Sequence, residues 1–167
     1  LFSWHPICLS VATAALSTSG IATILSRKGT KIRKRVSVTQ LHALQSVSSV
    51  FIAGFGLFAI YKNKELYGKP HLTSWHGRIG ALAAVLWVAS WALALIETLP
   101  IQRNGGKGGL SSKWHRTAGQ LGYAAGAAAL ALGFQSGFGT AKLGASGANA
   151  AAVAVAVMAA LTLMPQL

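Results

Sequence analysis

Long apolar stretches alternate with short polar segments along the whole chain. Small residues are frequent within these stretches and let helices approach one another closely in lipid. A helix needs about 20 apolar residues to cross a bilayer core of about 30 Å. Five stretches approach that length, near 6–25, 41–61, 77–99, 116–136 and 148–166. The pattern therefore predicts an all-α integral membrane protein with one transmembrane domain over residues 1–167.

Composition supports a membrane protein and disfavours a nucleic-acid-binding one. The chain is 53% hydrophobic and 10% charged, with two acidic residues against fifteen Lys and Arg. A strongly basic soluble protein would suggest a nucleic-acid partner, but here the basic residues lie between apolar stretches. In that position they act as topology signals, so we expect the lipid bilayer and no nucleic acid as a partner.

The basic residues are divided unequally between the two sides of the membrane. One side carries ten, namely Arg27, Lys28, Lys31, Arg33, Lys34, Arg35, Arg103, Lys107, Lys113 and Arg116. The other carries five, namely Lys62, Lys64, Lys69, Arg78 and Lys142, together with Glu65. By the positive-inside rule the first side is cytoplasmic, or its organellar equivalent. The chain is then expected to enter its first helix from the opposite side.

Four histidines stand at the starts of the first four apolar stretches, at His5, His42, His76 and His115. Successive helices run antiparallel, so partners at equal depth are His5 with His76 and His42 with His115. Two imidazoles that face each other across a helical bundle suit the two axial positions of a haem iron. A lone histidine at a helix end is usually an interfacial or hydrogen-bonded residue, but four in matching register favour haem ligation.

Two histidine pairs at opposite ends of a bundle predict two haem groups. Each macrocycle needs room between helices, and glycine provides it by removing the side chain. Gly80 and Gly119 lie one turn after His76 and His115 on the same helical faces. The predicted architecture is a four-helix haem-binding bundle plus a fifth helix.

The histidine-bearing segments FSWHPICL, LHALQ, LTSWHGRIG and KWHRTAGQLGY, at their observed spacing, resemble those of the cytochrome b561 family. The resemblance is closest to the short transmembrane-reductase branch. Its members have six transmembrane helices, and the first stretch here matches their second. The family's first helix would precede Leu1, so either the sequence is truncated or the chain departs from the family pattern. The resemblance implies two haems b, held by the histidine pairs that topology gives.

The same resemblance implies electron transfer from cytoplasmic ascorbate, through both haems, to ferric chelate or monodehydroascorbate on the opposite side. The chain would then be a transmembrane ascorbate-dependent ferrireductase. The expected ascorbate-side residues are Lys31, Arg33, Lys34, Arg35 and Arg116, whose charge attracts an anion or only sets topology. His71 is the acceptor-side candidate, with a solvated loop histidine as the alternative. One departure is Thr39, where many ascorbate-using members carry lysine.

Two other functions remain open from the sequence. One is a haem-bearing electron-transfer or structural subunit of a larger membrane complex, without substrate sites of its own. The other is a transporter or channel with interfacial histidines, which would need ionisable residues within the spans; Glu97 is the only acid close to one. We expect a multi-pass protein of an endomembrane or organellar membrane, and family members often form homodimers.

Overall fold

The described part of the chain folds into long helices. The computed structural model describes the backbone of residues 1–27, 32–103 and 111–164, and the side chains of 1–27, 36–96 and 113–164. Within these ranges there are five helices and no strand. They are α1 (Trp4–Leu25), α2 (Ile32–Leu66), α3 (Trp75–Arg103), α4 (Ser111–Phe134) and α5 (Gly137–Leu163).

Four of the described helices are long and apolar enough to cross a membrane. Their apolar spans are Trp4–Leu25, Val36–Leu66, Trp75–Ile96 and Gly137–Leu163. The sequence predicts α4 as a span too, but α4 is not among the four. α4 contains polar residues such as Lys113, Arg116 and Gln120 together with several glycines, which lower its mean hydropathy, while its small residues allow close helix contacts. The prediction of an all-α integral, multi-pass membrane protein is confirmed.

Two helices have bounds that differ markedly from the apolar stretches. α2 begins at Ile32, so His42 lies about three turns inside it and not at its start. Lys, Arg and Gln are good helix formers, so the helix continues through polar residues where the hydropathy signal stops. α5 begins at Gly137, well before the expected 148, and contains an interruption at Gly144, whose φ of 69° lies in the left-handed region.

The helices form two antiparallel hairpins, α1–α2 and α3–α4. In the second hairpin His76 lies against Gly133 while Ser90 lies against His115, which fixes the antiparallel direction. Contacts between α1 and α4 join the hairpins, and α5 packs mainly on α4. The small apolar cluster Ala127, Leu130 and Val155 lies between α4 and α5. The central position of α4 explains why small residues dominate its sequence.

Glycine permits the close approach of α1 and α2 near His5. A methyl group added at Gly56 would lie 2.9 Å from Cβ of Cys8 and would also collide with Leu9. At Gly54, on the same helix, nothing lies within 4 Å of such a methyl group. The two glycines therefore form a matched pair in which only one is required by helix packing.

We expect Gly56→Ala to destabilise the protein by about 1–3 kcal/mol, because overpacking forces the α1–α2 contact apart. Gly54→Ala is expected to leave stability unchanged or slightly raised, because alanine is the better helix former. Thermal unfolding of the two variants in detergent measures the difference. Equal melting temperatures for the two would contradict the packing described for Gly56.

A layer of hydroxyl groups crosses the middle of the bundle. Ser49 of α2 donates to the Ala12 carbonyl at 2.9 Å and lies 2.9 Å from the Ser17 hydroxyl of α1. Tyr123, the largest fully buried side chain described, lies 2.8 Å from the Thr18 hydroxyl. Such hydrogen bonds hold helices together in lipid, so this layer links α1 with both α2 and α4.

α1 is not a uniform α-helix. Its middle, Val11–Ser17, is π-helical, between α-helical turns at Trp4–Ser10 and Thr18–Leu25. The hydroxyls of Ser17 and Thr18 donate to carbonyls five residues earlier, at 2.8 and 3.2 Å. A π-helical turn accommodates an extra residue and is frequent at functional sites.

Candidate functional site

The structure brings the four helix histidines together in two pairs. His5 of α1 and His76 of α3 have ring centroids 5.8 Å apart and ring planes at 83°. His42 of α2 and His115 of α4 have centroids 6.4 Å apart and planes at 81°. We call these the first and second pair. Each pair takes one histidine from each hairpin, so any ion held between the rings would link the two hairpins.

Every one of these histidines is held by the other helix of its own hairpin. Its Nδ1 contacts a backbone carbonyl oxygen, and because a carbonyl only accepts, Nδ1 carries the proton and donates it. The four contacts are His5 to Gly56 at 3.2 Å, His42 to Gly20 at 2.9 Å, His76 to Ala129 at 2.8 Å and His115 to Ser90 at 2.8 Å. A proton on Nδ1 leaves Nε2 of the neutral ring as the lone-pair donor.

In three of the four helices, the paired histidine and the carbonyl that holds another histidine are separated by the same number of residues. Each helix of a hairpin supplies a histidine to one pair and, further along, the carbonyl that holds its neighbour's histidine. In α2, α3 and α4 the two positions are equally spaced in sequence, at 42 and 56, at 76 and 90, and at 115 and 129. This spacing corresponds to about four turns of α-helix and about 21 Å, so both groups lie on one face near opposite ends.

α1 is the exception, because one more residue separates its histidine from its carbonyl, at His5 and Gly20. In a regular α-helix the extra residue would turn one of them away by about 100°. α1 is also the helix with the π-helical segment, which lies between the two positions. The π-helical segment therefore absorbs the extra residue and keeps His5 and the Gly20 carbonyl in register with α2.

The Nε2 atoms of the first pair lie 3.5 Å apart. With both protons on Nδ1, two lone pairs face each other and no hydrogen bond joins the neutral rings. A first-row metal such as zinc binds imidazole nitrogen at about 2 Å, so two ligands on opposite sides of one ion span about 4 Å. The separation of 3.5 Å is about 0.5 Å short of that span, so the two rings would move slightly apart to hold an ion between them. The Nδ1 bonds are those that orient metal-binding histidines.

The described residues fit a prosthetic group that brings most of its own ligands. Within the ranges whose side chains are known, no three His, Cys, Asp or Glu residues gather as a metal site built by protein alone requires. A haem macrocycle supplies most of the ligands of its iron, and two facing imidazoles per site would supply the remaining ones. Gly80 and Gly119, expected to make room for it, instead lie at the α3–α4 contact, against Ala129 and Ser90.

Sequence reasoning missed the glycine that lies against a histidine ring. A methyl group at Gly133 would lie 3.1 Å from Cε1 of His76, so a side chain at this position would crowd the imidazole ring. It also missed the four carbonyl acceptors. The available signal was a small residue about four helical turns after each histidine, at Gly20, Gly56, Ser90 and Ala129.

Comparison with known proteins agrees with this geometry. Residues 4–139, which include all four paired histidines, match the family model of eukaryotic cytochrome b561. The chain belongs to the cytochrome b561 family. This is a family of haem b proteins, so the expected cofactor class is confirmed, as is the resemblance seen in the sequence motifs.

Relatives of this b561 chain are known from mammals. It is 33% identical over 180 residues to transmembrane reductase CYB561D2 of Bos taurus, covering 99% of this chain and 75% of that protein. The mouse protein of the same name is 32% identical over 184 residues, with the same coverage. The human probable transmembrane reductase CYB561D1 is 34% identical over 88 residues, or 49% of this chain and 36% of its own. No solved structure matches the chain.

Other predicted site residues of this b561 chain lie beyond the two ends of the bundle. His71 lies beyond the first pair. Its Nε2 is 2.8 Å from Oε1 of Glu65, and its ring stacks on Tyr61 with the ring centroids 5.0 Å apart. Arg116 follows His115 of the second pair and is exposed. The side chains of Lys31, Arg33, Lys34 and Arg35 lie outside the described residues.

Proposed function

We propose that this b561 chain transfers electrons across the membrane through two haems b, one bound by His5 and His76 and the other by His42 and His115. The observation that carries the proposal is the set of four imidazoles held at Nδ1 by backbone carbonyls. That arrangement fixes one tautomer at each ring and leaves Nε2 to bind metal. When bound, the haem iron supplies one-electron chemistry near each membrane surface.

The two histidine ligands of each proposed haem determine where a substrate can exchange electrons with it. With two histidines holding each haem, a substrate would exchange electrons from outside the ligand shell and would dock near the end of the bundle. We propose ascorbate as the cytoplasmic donor, which gives up one electron and one proton to become monodehydroascorbate. On the opposite side a ferric chelate becomes ferrous, or monodehydroascorbate with one proton becomes ascorbate. The net transfer is one electron per turnover.

On the proposed cytoplasmic side, positive charge is the feature suited to ascorbate. Arg116 is exposed next to His115, and Lys31, Arg33, Lys34 and Arg35 stand close before His42 in the sequence. A cluster of positive charge raises the local concentration of an anion and its rate of encounter. Thr39 is exposed where many ascorbate-using relatives have lysine, so these residues would take over that lysine's contribution to docking.

On the proposed acceptor side, His71 lies within a compact group of polar and aromatic side chains. It binds Glu65 at 2.8 Å, while Lys64 donates to the Pro70 carbonyl at 2.7 Å and Arg78 to the Leu72 carbonyl at 3.0 Å. These bonds order the connection between α2 and α3 above the first pair. An ordered, basic end of the bundle suits an anionic ferric chelate and holds His71 at the point of docking.

A second candidate is a haem-bearing subunit that receives electrons from a partner protein. The observation in its favour is a groove of about 220 Å³ between α4 and α5, lined by alanines and Leu163. Small residues of this kind accept another transmembrane helix. None of the four paired histidines lines the groove, so a helix could bind there without contacting them.

One preparation separates the two candidates. The purified protein should contain two low-spin b-type haems per chain, and ascorbate alone should reduce them rapidly with a saturable concentration dependence. Vesicles that contain the protein and enclose ascorbate should then reduce an impermeant ferric chelate outside. Reduction only after addition of a partner protein would favour the subunit, and a preparation without haem would exclude both candidates.

A further inference from the structure

His115 differs from the other three paired histidines in the groups that surround its Nδ1. His5, His42 and His76 each contact a single carbonyl oxygen at that atom. Nδ1 of His115 lies 2.8 Å from the carbonyl oxygen of Ser90 and 3.1 Å from the hydroxyl oxygen of the same residue. Two acceptors on one N–H therefore distinguish this imidazole from its partner His42 and from the first pair.

The hydroxyl group of Ser90 is fixed in the accepting orientation. Its oxygen also lies 3.0 Å from the main-chain carbonyl oxygen of His115, to which it donates its only proton. The lone pairs of the hydroxyl oxygen then face the Nδ1–H of the same histidine. Ser90 thus accepts from the ring and donates to the backbone of one residue, which orders the imidazole relative to α4.

Packing holds the hydroxyl in this place. Ser90 is buried in the α3–α4 contact, with 8% of its surface exposed. A methyl group at Gly119, one turn after His115, would lie 3.1 Å from the Ser90 hydroxyl oxygen. The glycine expected from the sequence to make room for a macrocycle therefore makes room for this hydroxyl.

Hydrogen bonds that an imidazole donates from Nδ1 raise its basicity as a metal ligand. A more basic axial ligand stabilises the ferric more than the ferrous state and lowers the reduction potential of the iron. We propose that Ser90 is a positioning residue that, through its hydroxyl bond to His115, lowers the reduction potential of the second-pair haem relative to a chain without it. This inference rests on the haem ligation proposed above. It adds a residue that changes the reduction potential of one haem, and with it the driving force for electron transfer to or from that haem.

The test is a redox titration of the purified protein with Ser90→Ala. Loss of the hydroxyl leaves the Ser90 carbonyl contact in place, so both haems are expected to stay bound while one of two midpoint potentials rises. Ser90→Thr retains a hydroxyl and should restore the potential. The matched control is Ser49→Ala, a second buried serine that bonds Ala12 and no histidine. It should leave both potentials unchanged.

A His76→Ala background assigns the shift, because that chain is expected to keep only the second-pair haem. Ser90→Ala should raise its single midpoint potential there by the same amount. Gly119→Ala is an independent probe, since its methyl group would lie 3.1 Å from the hydroxyl oxygen and crowd it; weakening of the bond to Nδ1 should also raise the potential. The proposal would be overturned if Ser90→Ala left both potentials unchanged or shifted the two haems by the same amount. A shift in Ser90→Thr as large as that in Ser90→Ala would also overturn it.

Loss of one haem in Ser90→Ala, combined with unchanged potentials in Gly119→Ala, would also overturn it, because Ser90 would then act only in packing. Failure of the proposed function gives a different result. In that case the unaltered protein itself would contain no haem, and no midpoint potentials would be measured.

Discussion

Replacement of His115 by alanine is expected to reduce the haem content from two per chain to one. The remaining imidazole of the second pair, His42, has no other nitrogen ligand opposite it among the described residues. One axial histidine holds the iron far less firmly than two, so this haem is lost on purification while the first pair keeps its own. Haem per chain is measured from the pyridine haemochrome spectrum and the protein concentration.

Double variants test the pairing itself. Combined replacement of His42 and His115 should also leave one haem, because both changes affect the same site. Combined replacement of His5 and His115 should leave none, because each removes a ligand from a different site. His71→Ala is the matched control, since His71 binds Glu65 outside the bundle, and it should retain both haems. A chain that lacks both His42 and His115 and contains no haem would refute the pairs.

Deletion of Ala15 from the π-helical segment is expected to leave both haems bound. The deletion removes the extra residue between His5 and Gly20 and gives them the spacing found in the other three helices. α1 then continues as a regular α-helix, and both groups stay on the face that contacts α2. Ala15 is exposed, so no buried contact is lost. Haem content and the absorption spectrum of the purified variant check this result.

Deletion of Ala128 from α4 is the matched control. Ala128 is also an exposed alanine and lies between His115 and the Ala129 carbonyl. The deletion shortens the regular spacing in a helix that has no π-helical segment to absorb the change. One end of α4 is then turned by about 100°, and at least one haem is expected to be lost. If both deletions cost the same amount of haem, the π-helical segment does not compensate for register.

Several features were accessible from the sequence because they depend on local chemistry and on the direction of the chain. The apolar stretches indicated the membrane helices, since about 20 apolar residues are needed in any helix that crosses a bilayer. Alternating helix direction placed His5 with His76 and His42 with His115, and in the structure these are neighbours. The histidine motifs indicated the family, which the match over residues 4–139 confirms.

Other features depend on contacts between helices and were not predicted. Hydropathy does not mark where a helix ends in water, so the start of α2 at Ile32 was missed. The carbonyl partner of each imidazole is a backbone atom that every residue possesses, and only the close packing of a hairpin selects Gly20, Gly56, Ser90 and Ala129. The neighbours of Gly80 and Gly119, which are Ala129 and Ser90, were not predicted for the same reason, because the spacing along one helix does not identify the residues that pack against it.

The sequence by itself determined the class of molecule, a histidine-bearing membrane bundle, because apolar length and helix direction require no knowledge of packing. Only the tertiary structure decided which atoms hold each imidazole, why α1 needs a π-helical segment and why His115, among the four paired histidines, contacts a serine hydroxyl. These depend on angles between helices and on small differences in the distances between them. Such distances are set by the sum of all side-chain contacts, and no single segment of sequence contains them.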